Sequence, residues 1–199
     1  MVSWSLDACR ACGVVSAIVV AIPAGHEHGL NDVVVVDGGS TRAESVSNAL
    51  AEVATEYVAI HDAARPLLTA ALLEALVAEL AADPDADGII AAAPVHDTVK
   101  KVRVEFGLPG NQNSTRVIGD TLDRSELWGA QTPQVFRTAA LRAALEVDAA
   151  ARDAATDEAM LIEAAGGKVL LHDPGAPNLK VTTPVDLRVA ELLLAERDI

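Results

Sequence analysis

Apolar β-branched runs alternate with helical stretches along this chain, and that alternation limits its fold more than any other feature. Val14 to Ile22 is a β-branched run stopped by Pro23, and Val33 to Val36 is apolar at every position, as a strand covered on both faces requires. Ala43 to Val53 has helical character, with Thr41 and Glu44 at capping-box spacing. Tyr57–Ile60 reads as a strand, the stretch from Ala70 to Ala82 as a strong helix, and Gly88 to Ala93 as a strand ended by Pro94. Helices are predicted near Thr138–Glu146 and Asp157–Ala165, the second closed by Gly166-Gly167, with a short strand Lys168–Leu171 after it. A strand Leu179–Val181 then leads into a last helix from Pro184, where Thr183 and Asp186 repeat the capping-box spacing. The alternation predicts an α/β fold, a mostly parallel sheet with helices on both faces.

One stretch departs from the rhythm. Thr98 to Glu105 and Thr115 to Thr121 are β-prone with alternating polarity, and the turn Gly107–Asn113 between them is rich in chain-reversing residues. The pattern predicts a protruding two-stranded hairpin over 98–121. A lone hairpin is marginal in water, so this one is expected to pack on a second copy of the subunit. A mobile surface excursion is the plainer alternative.

The chain has 199 residues, one domain's worth, and can bury roughly 70% of its unfolded surface. Its formal net charge of −14 argues against nonspecific nucleic-acid binding, which needs clustered Lys and Arg. The few basic residues can still be gathered into one pocket for an anionic small molecule. No apolar run approaches the roughly 20 residues that span a bilayer, and the N-terminus lacks a signal-peptide pattern. The chain is expected to be cytoplasmic. Cys9 and Cys12 form a C-x-x-C inside a predicted helix, Ser3 to Ala11, closed by Gly13; sharing a face with Leu6, they are expected to fill core rather than run redox chemistry.

Four segments carry groups suited to chemistry. The run Ala59-Ile60-His61-Asp62-Ala63-Ala64-Arg65-Pro66 releases an acid and a base at a strand end, where open α/β sheets gather ligands. An ordinary surface ion pair is the bland alternative. Asp37-Gly38-Gly39-Ser40-Thr41 joins a strand to a helix, and such a turn lets backbone N–H groups face a ligand. Leu122 to Gln134 lacks regular periodicity, is dense in polar side chains and reads as a functional loop. Lys180 stands alone in an apolar segment, a costly place unless it reaches a cleft or counter-ion.

Together these segments resemble the 2-C-methyl-D-erythritol 4-phosphate cytidylyltransferases of the non-mevalonate isoprenoid pathway. The matching pieces are Asp37-Gly38-Gly39 with Arg42 and Ser45, His61 to Pro66, Asp97-Thr98-Val99-Lys100, Thr121-Leu122-Asp123-Arg124, Gln131-Thr132-Pro133-Gln134, Thr156-Asp157-Glu158 and Asn178-Leu179-Lys180-Val181-Thr182. The likeness covers essentially the whole chain. It implies a Rossmann-like nucleotidyltransferase fold, pairing of two subunits through the arm 98–121, and transfer of a cytidylyl group from CTP to a sugar-alcohol phosphate with Mg²⁺. Carried over residue by residue, it implies that Gly39, Ser40, Ser45 and Ala63 lie against the nucleotide. Asp62, Arg65, Thr98, Thr132 and Thr156 would line the acceptor-phosphate site, with Arg124 and Lys180 as catalytic cations; metal ligands are not implied by any matching segment. Two anions must meet in such a reaction, and cations have to offset their repulsion.

The family usually opens with a strand and a glycine-rich loop of the form Ala-Ala-Gly-x-Gly-x-Arg that wraps the triphosphate, and this sequence shows no such segment before Met1. The expectation is an N-terminally truncated version of an active enzyme. Two alternatives stay open: a pentitol (ribitol) 5-phosphate cytidylyltransferase, or a non-catalytic homologue that binds ligand without turnover.

Overall fold

A computed structural model describes residues 1–106, 114–147 and 149–197. Helix α1 (Val2–Ala11) leads to strands β1 (Val19–Ile22) and β2 (Val34–Asp37), then helix α2 (Arg42–Ala51). Strand β3 (Tyr57–Ile60), helix α3 (Ala70–Ala82) and strand β4 (Gly88–Pro94) follow. Strands β5 (Lys100–Phe106) and β6 (Ser114–Thr121) come before a single 3₁₀ turn, Arg124–Glu126, and strand β7 (Trp128–Arg137). Helices α4 (Thr138–Leu145), α5 (Ala149–Ala154) and α6 (Glu158–Ala164), strand β8 (Val169–His172) and helix α7 (Pro184–Arg197) complete the described chain. The termini of α2 and α7 obey their caps. Thr41 Oγ1 accepts from Glu44 N–H at 3.1 Å, while Thr183 and Asp186 each accept the other's backbone N–H, at 3.2 and 2.8 Å.

The principal sheet has the order β3-β7-β4-β8, and a parallel pair β1-β2 forms a second. Strands β3, β4 and β8 run the same way, but β7 runs against both of its neighbours, β3 and β4. The fold is α/β as predicted, with a mixed main sheet. The largest departure from the sequence reading is β7 itself, for its residues Trp128–Gln134 were expected to be loop. Alternating polarity cannot mark a strand whose two faces are both covered, and here Thr132 and Gln134 are buried beside Val135 and Phe136. The hydrogen bonds of those polar side chains go to other side chains and to backbone groups of the loops. Leu179–Val181 differs the other way. It forms no ladder, and Val181 N–H donates instead to the Ala64 carbonyl at 2.7 Å, tying this segment to the turn after β3. Helix α5 was not anticipated, since six Ala-rich residues carry no legible period.

Neighbouring residues on β4 and β7 feed opposite cores. Ile90 and Phe136 pack with Leu50, Leu141, Leu145 and Ile162, from α2, α4 and α6. Ile89 and Val135 pack with Leu76 and Leu80 of α3 on the other side. Cys12 is buried with Leu68 and Leu73, and both cysteines are free, in keeping with a packing role. The hairpin β5-β6 pairs from Lys100↔Thr121 to Phe106↔Ser114, with a bulge after Lys101. It makes a separate sheet, and Val102, Val104 and Ile118 on it are at least 50% exposed. Its predicted turn, Gly107–Asn113, lies outside the described residues.

Gly88 is required by packing. A Cβ there would collide with Cδ1 of the fully buried Phe136 ring, so the ring seals the core only because this position has no side chain. Gly88→Ala is expected to lower stability by about 1–3 kcal/mol, as overpacking does. Thermal unfolding measures it, and Phe136→Leu in the Gly88→Ala background should recover part of the loss; an unchanged melting temperature in Gly88→Ala would contradict this packing.

Candidate functional site

The site grows from the carboxyl end of β3, where His61 and Asp62 leave the sheet beside the central strand β7. Asp62 N–H donates to Thr132 Oγ1 at 3.0 Å. Thr132 Oγ1 also lies 3.2 Å from His61 Nδ1, and His61 Nε2 lies 3.0 Å from the Arg65 carbonyl. These three contacts admit one consistent proton arrangement. The Arg65 carbonyl can only accept, so Nε2 carries the imidazole proton and donates to it; Nδ1 of the neutral ring is then an acceptor, and the Thr132 hydroxyl donates to it. Asn178 Nδ2 donates to the Thr132 carbonyl at 2.8 Å, and Arg65 donates through one terminal nitrogen to the Asn178 carbonyl at 2.6 Å. The turn after β3, the middle of β7 and the segment before α7 are thereby fastened to one another.

Charge is concentrated on Asp62. Lys180 Nζ donates to its Oδ2 at 2.8 Å, and Arg42 Nε lies 3.6 Å from its Oδ1. Arg42 in turn donates to Glu158 Oε1 at 2.6 Å, and that glutamate is only 1% exposed. Burial works against ionising Asp62, but the Lys180 hydrogen bond and the charges of Lys180, Arg42 and Arg65 outweigh it and hold the carboxyl below its usual range. Burial also pulls the Arg65 guanidinium below its ordinary value, with Asp62 opposing it. Arg42 feels the same penalty, yet Glu158 and Asp62 overcome it and hold its charge more firmly than in water. A carboxylate paired with Lys180 and Arg42, with Arg65 acting on it from further off, can receive a second anion at modest electrostatic cost.

The Asp37–Thr41 turn closes one flank. Gly39 N–H donates to Ser45 Oγ at 3.0 Å, Ser45 donates to the Thr41 carbonyl at 3.0 Å, and the Ser40 N–H and hydroxyl both reach Glu44 Oε2 at 2.7 Å. A Cβ on Gly39 would collide with the Glu44 side chain, so the turn can fold onto α2 only with glycine there.

Of the residues singled out in the sequence, Asp62, Arg65, Thr132 and Lys180 are brought together. Ala63 is exposed between Asp62 and Ala64, and Gly39, Ser40 and Ser45 form the turn on α2. Thr156 is exposed, one residue before Asp157, which caps α6 by accepting from Met160 N–H and also accepts from Gln134 Nε2 at 3.0 Å. Thr98 and Arg124 are both exposed near the base of the hairpin, where the Arg124 guanidinium donates to the His96 carbonyl, and among the described contacts neither meets Asp62. Sequence reading assigned no role to His61, Arg42, Glu158, Asn178 or Gln134. A signal existed for Arg42: a cation in the first turn of a helix opposes the macrodipole and calls for a nearby acid. Glu158 stood in the matching segment Thr156-Asp157-Glu158, but nothing local set it apart, since an acid in a first turn is ordinary. Among the described residues there is no group of three or more His, Cys, Asp and Glu side chains that could hold a metal ion. Among them, too, no helix is long and apolar enough to cross a membrane.

His61 makes stability depend on pH. Burial lowers its pKa to about 4, against an ordinary value of 6.5. Below pH 6.5 the unfolded chain therefore takes up a proton that the folded chain refuses, and stability is lost between pH 6.5 and 4, by roughly 3 kcal/mol at most. Denaturant unfolding at pH 7 and pH 4.5 should show a smaller drop for His61→Gln than for the parent. Equal drops would remove His61 from this role.

The geometry can be set beside known proteins. Residues 1–196 match the family model of IspD, 2-C-methyl-D-erythritol 4-phosphate cytidylyltransferase. A cytidylyltransferase of that name from Dechloromonas aromatica is 48% identical over 165 residues, spanning 80% of this chain and 65% of the relative. The bifunctional enzyme IspD/IspF of Anaeromyxobacter dehalogenans is 45% identical over 193 residues, 92% of this chain and 47% of that protein. The chain thus matches about two thirds of one relative's length and about half of the other's. The crystal structure of 2-C-methyl-D-erythritol 4-phosphate cytidylyltransferase from Thermus thermophilus superposes with a TM-score of 0.79 at 30% identity, covering 97% of this chain and 88% of that one. With its sequence and its fold in agreement from α1 to α7, the chain belongs to the IspD family.

Proposed function

We propose that this protein transfers the cytidylyl group of CTP to the phosphate of 2-C-methyl-D-erythritol 4-phosphate, releasing pyrophosphate, in the cytoplasm. The observation that carries this reading is the convergence of Lys180, Arg42 and Arg65 on Asp62, a cation-rich pocket in a chain of net charge −14. In the reaction an oxygen of the acceptor phosphate forms a bond to the α-phosphorus of CTP. The bond from that phosphorus to the bridging oxygen of the β-phosphate breaks, and pyrophosphate leaves with the electron pair. Lys180, 46% exposed and held among the described residues by the Asp62 carboxylate, is the cation that can swing toward the incoming phosphate. Arg65, Asp62 and Thr156 are proposed to line the acceptor-phosphate site, and Thr132 holds Asp62 in place by accepting its backbone N–H. Gly39, Ser40, Ser45 and Ala63 receive the nucleotide. Mg²⁺ is proposed to travel with the triphosphate, as it commonly does when protein supplies only one or two carboxylates.

The arm completes the picture. Val102, Val104 and Ile118 leave an apolar face on β5-β6, which supports pairing of two subunits there. Thr98 and Arg124, at the base of the arm, are then proposed to serve the site of the partner, Arg124 as a catalytic cation beside Lys180.

Pyrophosphate release from CTP, Mg²⁺ and 2-C-methyl-D-erythritol 4-phosphate tests the reading, with ribitol 5-phosphate as the competing acceptor. Release with the first acceptor and little with the second is expected. Preference for ribitol phosphate, or no release with either, would overturn it. Lys180→Ala should lower kcat/KM about 10²-fold or more, the scale of one lost donor to transition-state charge, with melting temperature nearly unchanged. Ile118→Asp on the arm should shift the protein toward monomers in sedimentation, and a monomeric parent would contradict the pairing.

A further inference from the structure

Arg42 occupies an unusual position. Its backbone begins α2 directly after the proposed nucleotide turn, while its guanidinium spans Asp62, at the end of β3, and Glu158, at the start of α6. Glu158 is 1% exposed, and among the described residues its Oε2 has no hydrogen-bond partner. A carboxylate buried to that degree holds its one cation tightly, because without it the charge would stand uncompensated. Arg42 is thus fixed from behind by Glu158 and presents its Nε edge to Asp62.

The consequence falls on Lys180. Asp62 is the counter-ion of both cations, Lys180 at 2.8 Å and Arg42 at 3.6 Å. With Arg42 present, part of the carboxylate's charge is already met, and Lys180 can leave Asp62 for a phosphate at lower cost. Without Arg42, Asp62 has Lys180 as its one ion-pair partner among the described residues and keeps it.

Building on the function proposed above, we infer that Arg42, anchored by Glu158, is a positioning residue of the acceptor-phosphate site that frees Lys180 for the incoming phosphate. Glu158 acts one step further back, by fixing the guanidinium of Arg42. Neither residue needs to touch the substrate. The pair also ties the nucleotide turn to the acceptor side through one guanidinium, so a disturbance at α6 reaches Lys180 without passing through the sheet.

Calorimetric titration of this chain with 2-C-methyl-D-erythritol 4-phosphate tests the inference. The variants are Arg42→Lys, Arg42→Gln, Glu158→Gln and the double variant Arg42→Gln/Glu158→Gln, each accompanied by a thermal melt. Arg42→Gln and Glu158→Gln are each expected to weaken acceptor binding about tenfold, and Arg42→Lys, which keeps the charge, to retain most of the affinity. The double variant replaces the ion pair by two neutral amides and leaves no buried charge uncompensated. It should regain melting temperature lost in Arg42→Gln but not acceptor affinity. Recovery of affinity together with stability would mean that the pair is only structural, and the inference would fail. Parent-like affinity in both single variants would also overturn it while leaving the proposed function intact. A parent protein that binds no acceptor phosphate would instead defeat the proposed function, and this inference with it.

Discussion

One carboxylate organises this molecule. Asp62 accepts Lys180 from the segment before α7 and faces Arg42 from α2, while its backbone N–H is held by Thr132 of the central strand. Each of those partners lies on a different element, and the elements lie far apart in sequence. Breaking an ion pair by removing one buried partner is expensive, whereas exposed pairs contribute little. Asp62 and Arg42 fall between these limits, partly covered and partly wet, which is the environment a site needs if it is to exchange an internal counter-ion for a ligand's charge.

The sheet makes this arrangement available. An antiparallel β7 between β3 and β4 carries Thr132, Gln134, Val135 and Phe136 through the middle of the molecule. Its apolar residues close the cores on both faces, and its polar ones turn the hydrogen bonds of the interior toward the end of β3. Thr132 serves His61 and Asp62 with its hydroxyl and Asn178 with its carbonyl. Gln134 braces Asp157 at the cap of α6, one residue before Glu158. The same strand therefore supports the fold and aims the charged groups.

Much of this could be read from the residues in order. The strand Tyr57–Ile60 and the helix Ala70–Ala82 lie where their patterns placed them, because local apolar period and capping chemistry decide such elements. Asp62 and Arg65 do leave the sheet together at a strand end, and Lys180 meets Asp62, but Lys180 is 46% exposed in a segment without a ladder, so the burial cost that singled it out does not apply there. Strand β7 was illegible for a physical reason: covered on both faces, it carries polar residues inside and shows no period. Leu179–Val181 was misread as a strand because extended backbone and strand share a composition, while only the ladder separates them. Glu158 was legible only as part of a matching segment, and its link to Arg42 spans 116 residues. Long-range pairing of that kind leaves no trace in a local pattern.

The account rests on Lys180 exchanging the Asp62 carboxylate for the phosphate of the acceptor. A crystal structure of the protein with 2-C-methyl-D-erythritol 4-phosphate measures this directly. The account predicts the phosphate within about 3 Å of Lys180 Nζ, with Arg42 still bridging Asp62 and Glu158. A phosphate bound elsewhere, with the Lys180–Asp62 pair intact, would contradict it.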